Sequence, residues 1–162
     1  MVGVPTQTRT TTMPKLVAPD LTQRAPRSPR VRLGGYVILP RMLDKGRATI
    51  AGKHGEYNYN CPLDQLFLKF AGIDGAKLTK ELAKGKGDGE ILAWINKTGK
   101  FKHGLMEIAQ WSIFHEQRSP ADVESRDYFH KLHTTIAPKR TDVSTWFDVL
   151  DIDDFVTFGG HA

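Results

Sequence analysis

The chain has 162 residues, of which 40% are apolar and 25% charged, and its formal net charge is +5 at pH 7. This length accommodates one domain with its own core, and the composition excludes an intrinsically disordered or collagen-like chain. No apolar run approaches the roughly 20 residues that a membrane span needs, and the N-terminus lacks the apolar core of a secretory signal. The single cysteine excludes an internal disulfide. We therefore predict a soluble, cytoplasmic protein that does not contact a membrane.

The charges are distributed unevenly along the chain. Between Arg24 and Lys53 the only acidic residue is Asp44, whereas after Arg140 every charged residue is an aspartate. The acidic C-terminal part is therefore expected to dock on the basic segment within the fold. Continuous basic stripes with interleaved aromatic residues are missing, so the sequence disfavours nucleic-acid binding.

The N-terminal third of the chain contains a tail, an arm and a first helical region. Residues 1–19 are rich in threonine and lack apolar periodicity, which predicts a disordered tail ahead of a single domain at residues 20–158. Two prolines within residues 20–29 indicate an extended, ordered arm. Apolar residues then recur at helical intervals over residues 30–50, but two glycines and Pro40 interrupt them. The pattern predicts either one bent helix or two short helices that meet near Pro40.

Capping and helix-breaking residues mark the remaining helices. Cys61 or the asparagine before it begins one helix, which has Pro62 in its first turn and ends at Gly72. Further helices are expected at about residues 75–84, 88–98, 104–118, 120–133 and 145–151, with Asp74, Asp88, Ser119 and Thr145 as N-caps. Six or seven short helices and almost no strand alternation predict an all-α fold in a single compact domain.

Three motifs resemble those of a known family. They are PRSPRVRLGGYVILPRMLDKGRA at residues 26–48, YNCPLDQ at 59–65 and EILAWI at 90–95. Over about residues 20–154 the chain is similar to a family of small bacterial proteins known only as a domain of unknown function. The resemblance implies a bacterial origin and one compact domain, and it implies no activity, cofactor or catalytic residue.

Cys61 is the first candidate for chemistry. A thiol at a helix N-terminus is activated by the unpaired amides there, so Cys61 is a candidate nucleophile. Tyr57 lies just upstream and is a candidate base or hydroxyl donor, and Asp64 lies one turn into the helix, where it can orient a partner. The alternative is structural, because free cysteines are commonly buried and Asp64 suits plain helix capping.

A basic cluster around Asp44 is the second candidate. Arg41, Lys45 and Arg47 flank this carboxylate, and arginine binds carboxylate or phosphate groups in bidentate fashion. A binding site for a small anionic ligand is one interpretation, with Asp44 as a further candidate catalytic residue. In the other interpretation, Asp44 pairs with Arg41 and Arg47 or anchors the acidic C-terminal segment.

No cofactor or metal is predicted. His130 and His133 are spaced to share a helix face, but zinc needs a third or fourth ligand that the sequence does not offer. The glycine-rich stretch at residues 85–89 follows no strand and lacks the Lys-Ser/Thr ending of a phosphate loop, so it is interpreted as a linker.

Two functions remain as hypotheses. In the first, the protein binds a small anionic metabolite in a polar pocket between the basic helix and the helix that starts at Cys61, and an enzymatic role is left open. In the second, it is a non-catalytic interaction module whose basic face meets an acidic partner protein. A concave surface shared by Arg41, Asp44, Tyr57 and Cys61 would favour the first. The oligomeric state cannot be read from the sequence.

Overall fold

Seven α-helices and their connections make up the part of the chain that the computed structural model describes, residues 14–162. They are α1 (Leu39–Ile50), α2 (Pro62–Ala71), α3 (Gly75–Ala83), α4 (Asp88–Thr98), α5 (Leu105–Gln117), α6 (Val123–Ile136) and α7 (Trp146–Thr157). Within these residues no sheet forms, and one antiparallel bridge joins Leu33 to Tyr36. The predicted all-α fold is confirmed. None of these helices is long and apolar enough to cross a membrane.

The helix predicted from residue 30 begins only at Leu39, so both versions of that prediction are wrong for residues 30–38. Gly34 and Gly35 have φ angles of 59° and 85°, a left-handed conformation that folds this stretch into a tight turn instead. Ile38, which is β-branched, also has a positive φ of 70°. Its amide donates a hydrogen bond to the carbonyl oxygen of Pro29 at 2.8 Å, which helps to hold this strained residue in place.

Two of the four predicted N-caps are confirmed. The side chains of Asp74 and Thr145 accept hydrogen bonds from backbone amides of the first turns of α3 and α7. The other two predictions are wrong. Asp88 lies inside the first turn of α4, where its carboxylate receives arginine side chains, and Asp122 rather than Ser119 caps α6. Helix α7 also extends well beyond the predicted end at residue 151.

The arm at residues 20–29 is ordered against the helices, as predicted. Leu21 is only 1% exposed, and its amide donates to the carbonyl oxygen of Lys53 at 2.8 Å. The disordered tail predicted for residues 1–19 falls largely outside the described residues. Of that stretch, residues 14–19 are described, and they run without helix or strand.

Helix α1 is buried along nearly its whole length, including four charged side chains. A buried charge is costly unless it is paired, so each of these side chains needs a partner of opposite charge. The four partners come from four different segments: Arg41 pairs with Asp154 of α7, Asp44 with Arg27 of the arm, Lys45 with Asp64 of α2, and Arg47 with Asp88 of α4. The ion pairs therefore attach the surrounding segments to α1.

The expected docking of the acidic C-terminal part on the basic segment is confirmed. Arg30 forms ion pairs with Asp148 and, at 3.1 Å, with Asp151, both on α7. Arg41 and Asp154 extend the same contact into the interior. Complementary charges thus hold the last helix against the N-terminal half.

Helix α5 turns two polar side chains towards the interior. Ser112 is fully buried, and its hydroxyl donates to the carbonyl oxygen of Gly35 at 2.8 Å. This hydrogen bond satisfies a backbone carbonyl of the tight turn before α1. His115 is 6% exposed and packs between Trp111 and Phe114, and its Nδ1 has no hydrogen-bond partner among the described residues. Burial, together with the nearby positive charge of Arg118, lowers the pKa of His115 to about 4. His115 is therefore neutral in the folded protein near pH 7.

The pairing of Asp44 makes a test of the fold. Asp44→Asn should lower the free energy of unfolding by about 2–3 kcal/mol, because Arg27 would lose one of its two carboxylate partners and keep only Asp88. We expect the melting temperature to fall by about 5–10 °C. The control is Asp142→Asn, which breaks an exposed pair with Arg140 and should leave the melting temperature nearly unchanged. Equal melting temperatures for the two variants would show that the buried pair adds no stability.

The neutral state of His115 makes the stability depend on pH. Between pH 6.5 and about 4 the unfolded chain binds a proton at His115 that the folded protein does not bind, so stability should fall as the pH falls through this window. This proton uptake by the unfolded chain should lower the free energy of unfolding by about 3 kcal/mol across the window. Urea unfolding at several pH values should show this slope in the wild type and in the exposed control His130→Gln, and a smaller slope in His115→Gln. An unchanged slope in His115→Gln would contradict the assignment.

Candidate functional site

A polar cleft opens between α1, the loop before α2, the N-terminus of α2 and α7. Its volume is about 520 Å³, within the range of small-molecule sites. Four of the seven predicted site residues line it: Arg41, Lys45, Tyr57 and Cys61. The structure thus brings together most of the residues that the motifs singled out.

One corner of the cleft is built around Asp154. Its carboxylate accepts two hydrogen bonds from Arg41, at 2.6 and 3.1 Å, and a third from the Tyr57 hydroxyl at 2.9 Å. The Arg41 guanidinium also lies 5.5 Å from the centre of the Tyr57 ring. Burial and the Asp154 carboxylate raise the pKa of Tyr57. The Tyr57 hydroxyl therefore stays protonated and acts as a hydrogen-bond donor.

The other corner is built around the ammonium group of Lys45. Its Nζ forms an ion pair with Oδ1 of Asp64 at 2.7 Å, at an angle that does not make a hydrogen bond. The same Nζ donates hydrogen bonds to Cys61 Sγ at 3.2 Å and to the carbonyl oxygen of Asn58 at 3.1 Å. Asp64 is completely buried, and its Oδ2 accepts from the Asn60 amide at 2.8 Å. Asp64 therefore lies behind Lys45, where it holds the ammonium in place and supports the start of α2.

The N-terminus of α2 faces this corner with unused donors. Cys61 is the N-cap residue, and its side chain makes no capping hydrogen bond. Pro62 has no amide hydrogen, and the amides of Leu63 and Asp64 have no acceptor among the described residues. Such amides carry partial positive charge and favour an anionic group. The helix start, Lys45 and the Cys61 thiol therefore face the same space.

Asp44 and Arg47 do not join the cleft. Asp44 accepts three hydrogen bonds from Arg27, at 3.0 Å from its backbone amide and at 2.9 and 2.8 Å from its guanidinium. Arg47 pairs with Asp88 at 2.7 Å. The expected pairing of Asp44 with Arg41 and Arg47 is therefore wrong, because the buried helix α1 turns these side chains towards different neighbouring segments.

Several lining residues were missed by sequence reasoning. Glu56, Asn58, Asp153 and Thr157 belong to the cleft, and Asp154 lies directly behind it. The acidic C-terminal composition was a usable signal for Asp153 and Asp154, but it did not specify which aspartates reach the site. Burial and the neighbouring Asp154 carboxylate raise the pKa of Asp153. The cleft therefore carries both signs of charge.

The structure does not bring potential metal ligands together in the described part of the chain. Residues 14–162 contain no group of three or more His, Cys, Asp or Glu side chains arranged to hold a metal ion. His133 instead lies 2.6 Å from the carbonyl oxygen of Arg140 through its Nε2.

The fold and cleft thus define an all-α protein with one polar, mixed-charge concavity beside its only cysteine. The chain belongs to the family described as Domain of unknown function (DUF5069), whose model matches residues 23–156. The matched region includes all seven predicted site residues, and the resemblance inferred from the motifs is confirmed at the level of the family. No curated protein matches the chain.

The geometry around Cys61 leads to a test of its reactivity. The thiol is partly exposed, lies at a helix N-terminus and accepts a hydrogen bond from an ammonium group. The helix N-terminus and the ammonium group both stabilise negative charge on sulfur. Iodoacetamide at pH 7 should therefore alkylate native Cys61 up to about tenfold faster than a free cysteine peptide. Mass spectrometry of timed samples measures the rate. Alkylation that occurs only after denaturation would show that the thiol is inert and packed.

Proposed function

We propose that this protein binds a small anionic metabolite in the polar cleft. The observation that carries the proposal is the convergence of Arg41, Lys45, Tyr57 and Cys61 on one concave surface. Residues separated in sequence meet there, and Cys61 and Leu63 bring the start of α2 to the same cleft. A concavity of about 520 Å³ with few, fixed polar groups is typical of a small-molecule site.

The charges of the cleft limit how such a ligand binds. Arg41 and Lys45 are each already paired with a carboxylate, Asp154 and Asp64 respectively. An incoming anionic group therefore gains most at the α2 end, where the free amides and the Lys45 ammonium are close together. At the other end Asp153 repels negative charge. The proposed ligand is small and carries its anionic group at one end.

A covalent step would depend on Cys61. Its sulfur is the nucleophilic atom in the cleft, and Lys45 stabilises a negative charge on it. The Tyr57 hydroxyl donates its proton to Asp154, so it can serve a reacting group as a hydrogen-bond acceptor. The catalytic role predicted for Asp44 has no support from the geometry, because its carboxylate lies outside the cleft and is paired with Arg27.

The alternative function, an interaction module with a basic face, has less support. Its basic segment is largely engaged within the fold, since six of its cations form ion pairs with carboxylates of the same chain. These are Arg27, Arg30, Arg32, Arg41, Lys45 and Arg47. A partner protein would have to displace those pairs.

The proposed function is tested by titrating phosphate, malonate and succinate into the protein and measuring melting temperature and heat of binding. We expect phosphate, whose charge is confined to one group, to stabilise the wild type more than malonate or succinate, whose second carboxylate meets Asp153. Asp153→Asn should bind it about 2–5 times more tightly, because a repelling charge in the cleft is removed. Asp127→Asn is the matched control, since it removes the same charge from an exposed position on α6 outside the cleft.

Chemical blocking provides a second control. Carbamidomethylation of Cys61 adds bulk at the α2 end of the cleft without adding charge, so it should weaken binding of the anion. Equal effects of Asp153→Asn and Asp127→Asn would indicate general electrostatic attraction rather than a site. No stabilisation by any of the anions, together with no effect of the blocked thiol, would contradict the proposal.

A further inference from the structure

A second concavity adjoins the cleft on the other side of Leu63 and Leu150, which line both. It lies between α2, α6 and α7, with the residue after α5 at one side, and its volume is about 320 Å³. Its walls are mainly apolar and include Leu66, Leu132 and Trp146. We call it the Arg118 groove after the one charged residue that lines it.

Arg118 lacks a partner of opposite charge. Among the described residues its guanidinium forms neither an ion pair nor a hydrogen bond, although its Nε is buried. Most other arginines of the described chain have carboxylate partners, including the more exposed Arg140. A buried, unsatisfied donor is costly, so its presence in a native fold calls for an explanation.

The chain itself offers Arg118 no obvious anion. Glu116 is paired with Arg32 at 2.9 Å, and the carboxylate of Asp122 caps α6 through the Ser125 amide at 2.7 Å. Residues 1–13, which lie outside the described part, contain neither Asp nor Glu. These carboxylates are therefore engaged elsewhere, and the half-buried Arg118 side chain keeps a donor free for a ligand.

We propose that the Arg118 groove binds a small carboxylic acid with an aromatic or branched aliphatic body. The carboxylate accepts paired hydrogen bonds from the Arg118 guanidinium, whose planar donors match this group. The body of the ligand packs on the Leu66, Leu132 and Trp146 side chains and is removed from water.

The apolar walls distinguish this ligand from the one proposed for the cleft. A phosphate or a dicarboxylate would bring more than one negative charge next to a single cation in apolar surroundings, which disfavours it. Burial lowers the pKa of Arg118 from its ordinary value, as expected for a cation without a partner, and a carboxylate beside it would reverse that effect. The groove therefore selects one charge joined to an apolar body, independently of whether the cleft binds an anion.

The test compares phenylacetate, its uncharged analogue phenylacetamide, and acetate by calorimetric titration of the intact protein. Phenylacetate should bind, phenylacetamide should bind at least about tenfold more weakly, and acetate should show no measurable binding. Arg118→Gln should weaken phenylacetate by at least about tenfold. Arg126→Gln is the matched control, because it removes an exposed arginine of α6 that does not line the groove.

A second variant keeps the test decisive if Arg118→Gln does not fold. Leu132→Phe narrows the groove without changing any charge, so it should weaken phenylacetate and leave phosphate binding unaltered. Equal binding of phenylacetate and phenylacetamide would overturn the role of Arg118. Absence of phenylacetate binding to the wild type would overturn the proposal for the groove, and it would leave the cleft proposal standing because phosphate tests that site separately.

Discussion

The structure depends on the pairing of the charged side chains of α1. Arg41, Asp44, Lys45 and Arg47 are all buried, and each has its partner in a different segment. A buried ion pair adds little stability compared with apolar packing, but loss of one partner is expensive. Such pairs therefore penalise incorrect arrangements of the arm, α2, α4 and α7 more strongly than they stabilise the correct one. We infer that they specify how these segments assemble around α1.

The same pairing shapes the cleft. Asp154 and Asp64 hold Arg41 and Lys45 in place, and this leaves the cations oriented but partly neutralised. A preorganised site of this kind binds with little loss of side-chain freedom, although its attraction for an anion is weaker than the number of cations suggests. For the anionic ligand that we propose, the free amides at the start of α2 would then be the main attraction, and they lie beside the Cys61 thiol.

The two concavities differ because of how their cations are satisfied. In the cleft, each cation has a carboxylate from the same chain, so an incoming ligand has to share it. In the groove, Arg118 has no such carboxylate among the described residues, and its surroundings are apolar. An unpaired buried donor makes a stronger case for a ligand than a larger number of paired ones, since only the unpaired donor gains a partner on binding. Leu63 and Leu150 separate the two spaces and line both.

The sequence by itself determined the helical fold, the N-caps Asp74 and Thr145, the start of α2 at Cys61–Pro62 and the docking of the acidic C-terminal part. These features depend on local periodicity, on side chains that bond to nearby amides, or on a large imbalance of charge along the chain. Only the tertiary structure decided that Asp44 pairs with Arg27, that Asp88 receives two arginines instead of capping a helix, and that Arg118 has no partner within residues 14–162. The physical reason is that an ion pair forms between side chains that the packed helices bring within a few ångströms of each other. Charged neighbours in sequence do not pair when a buried helix directs them to different sides.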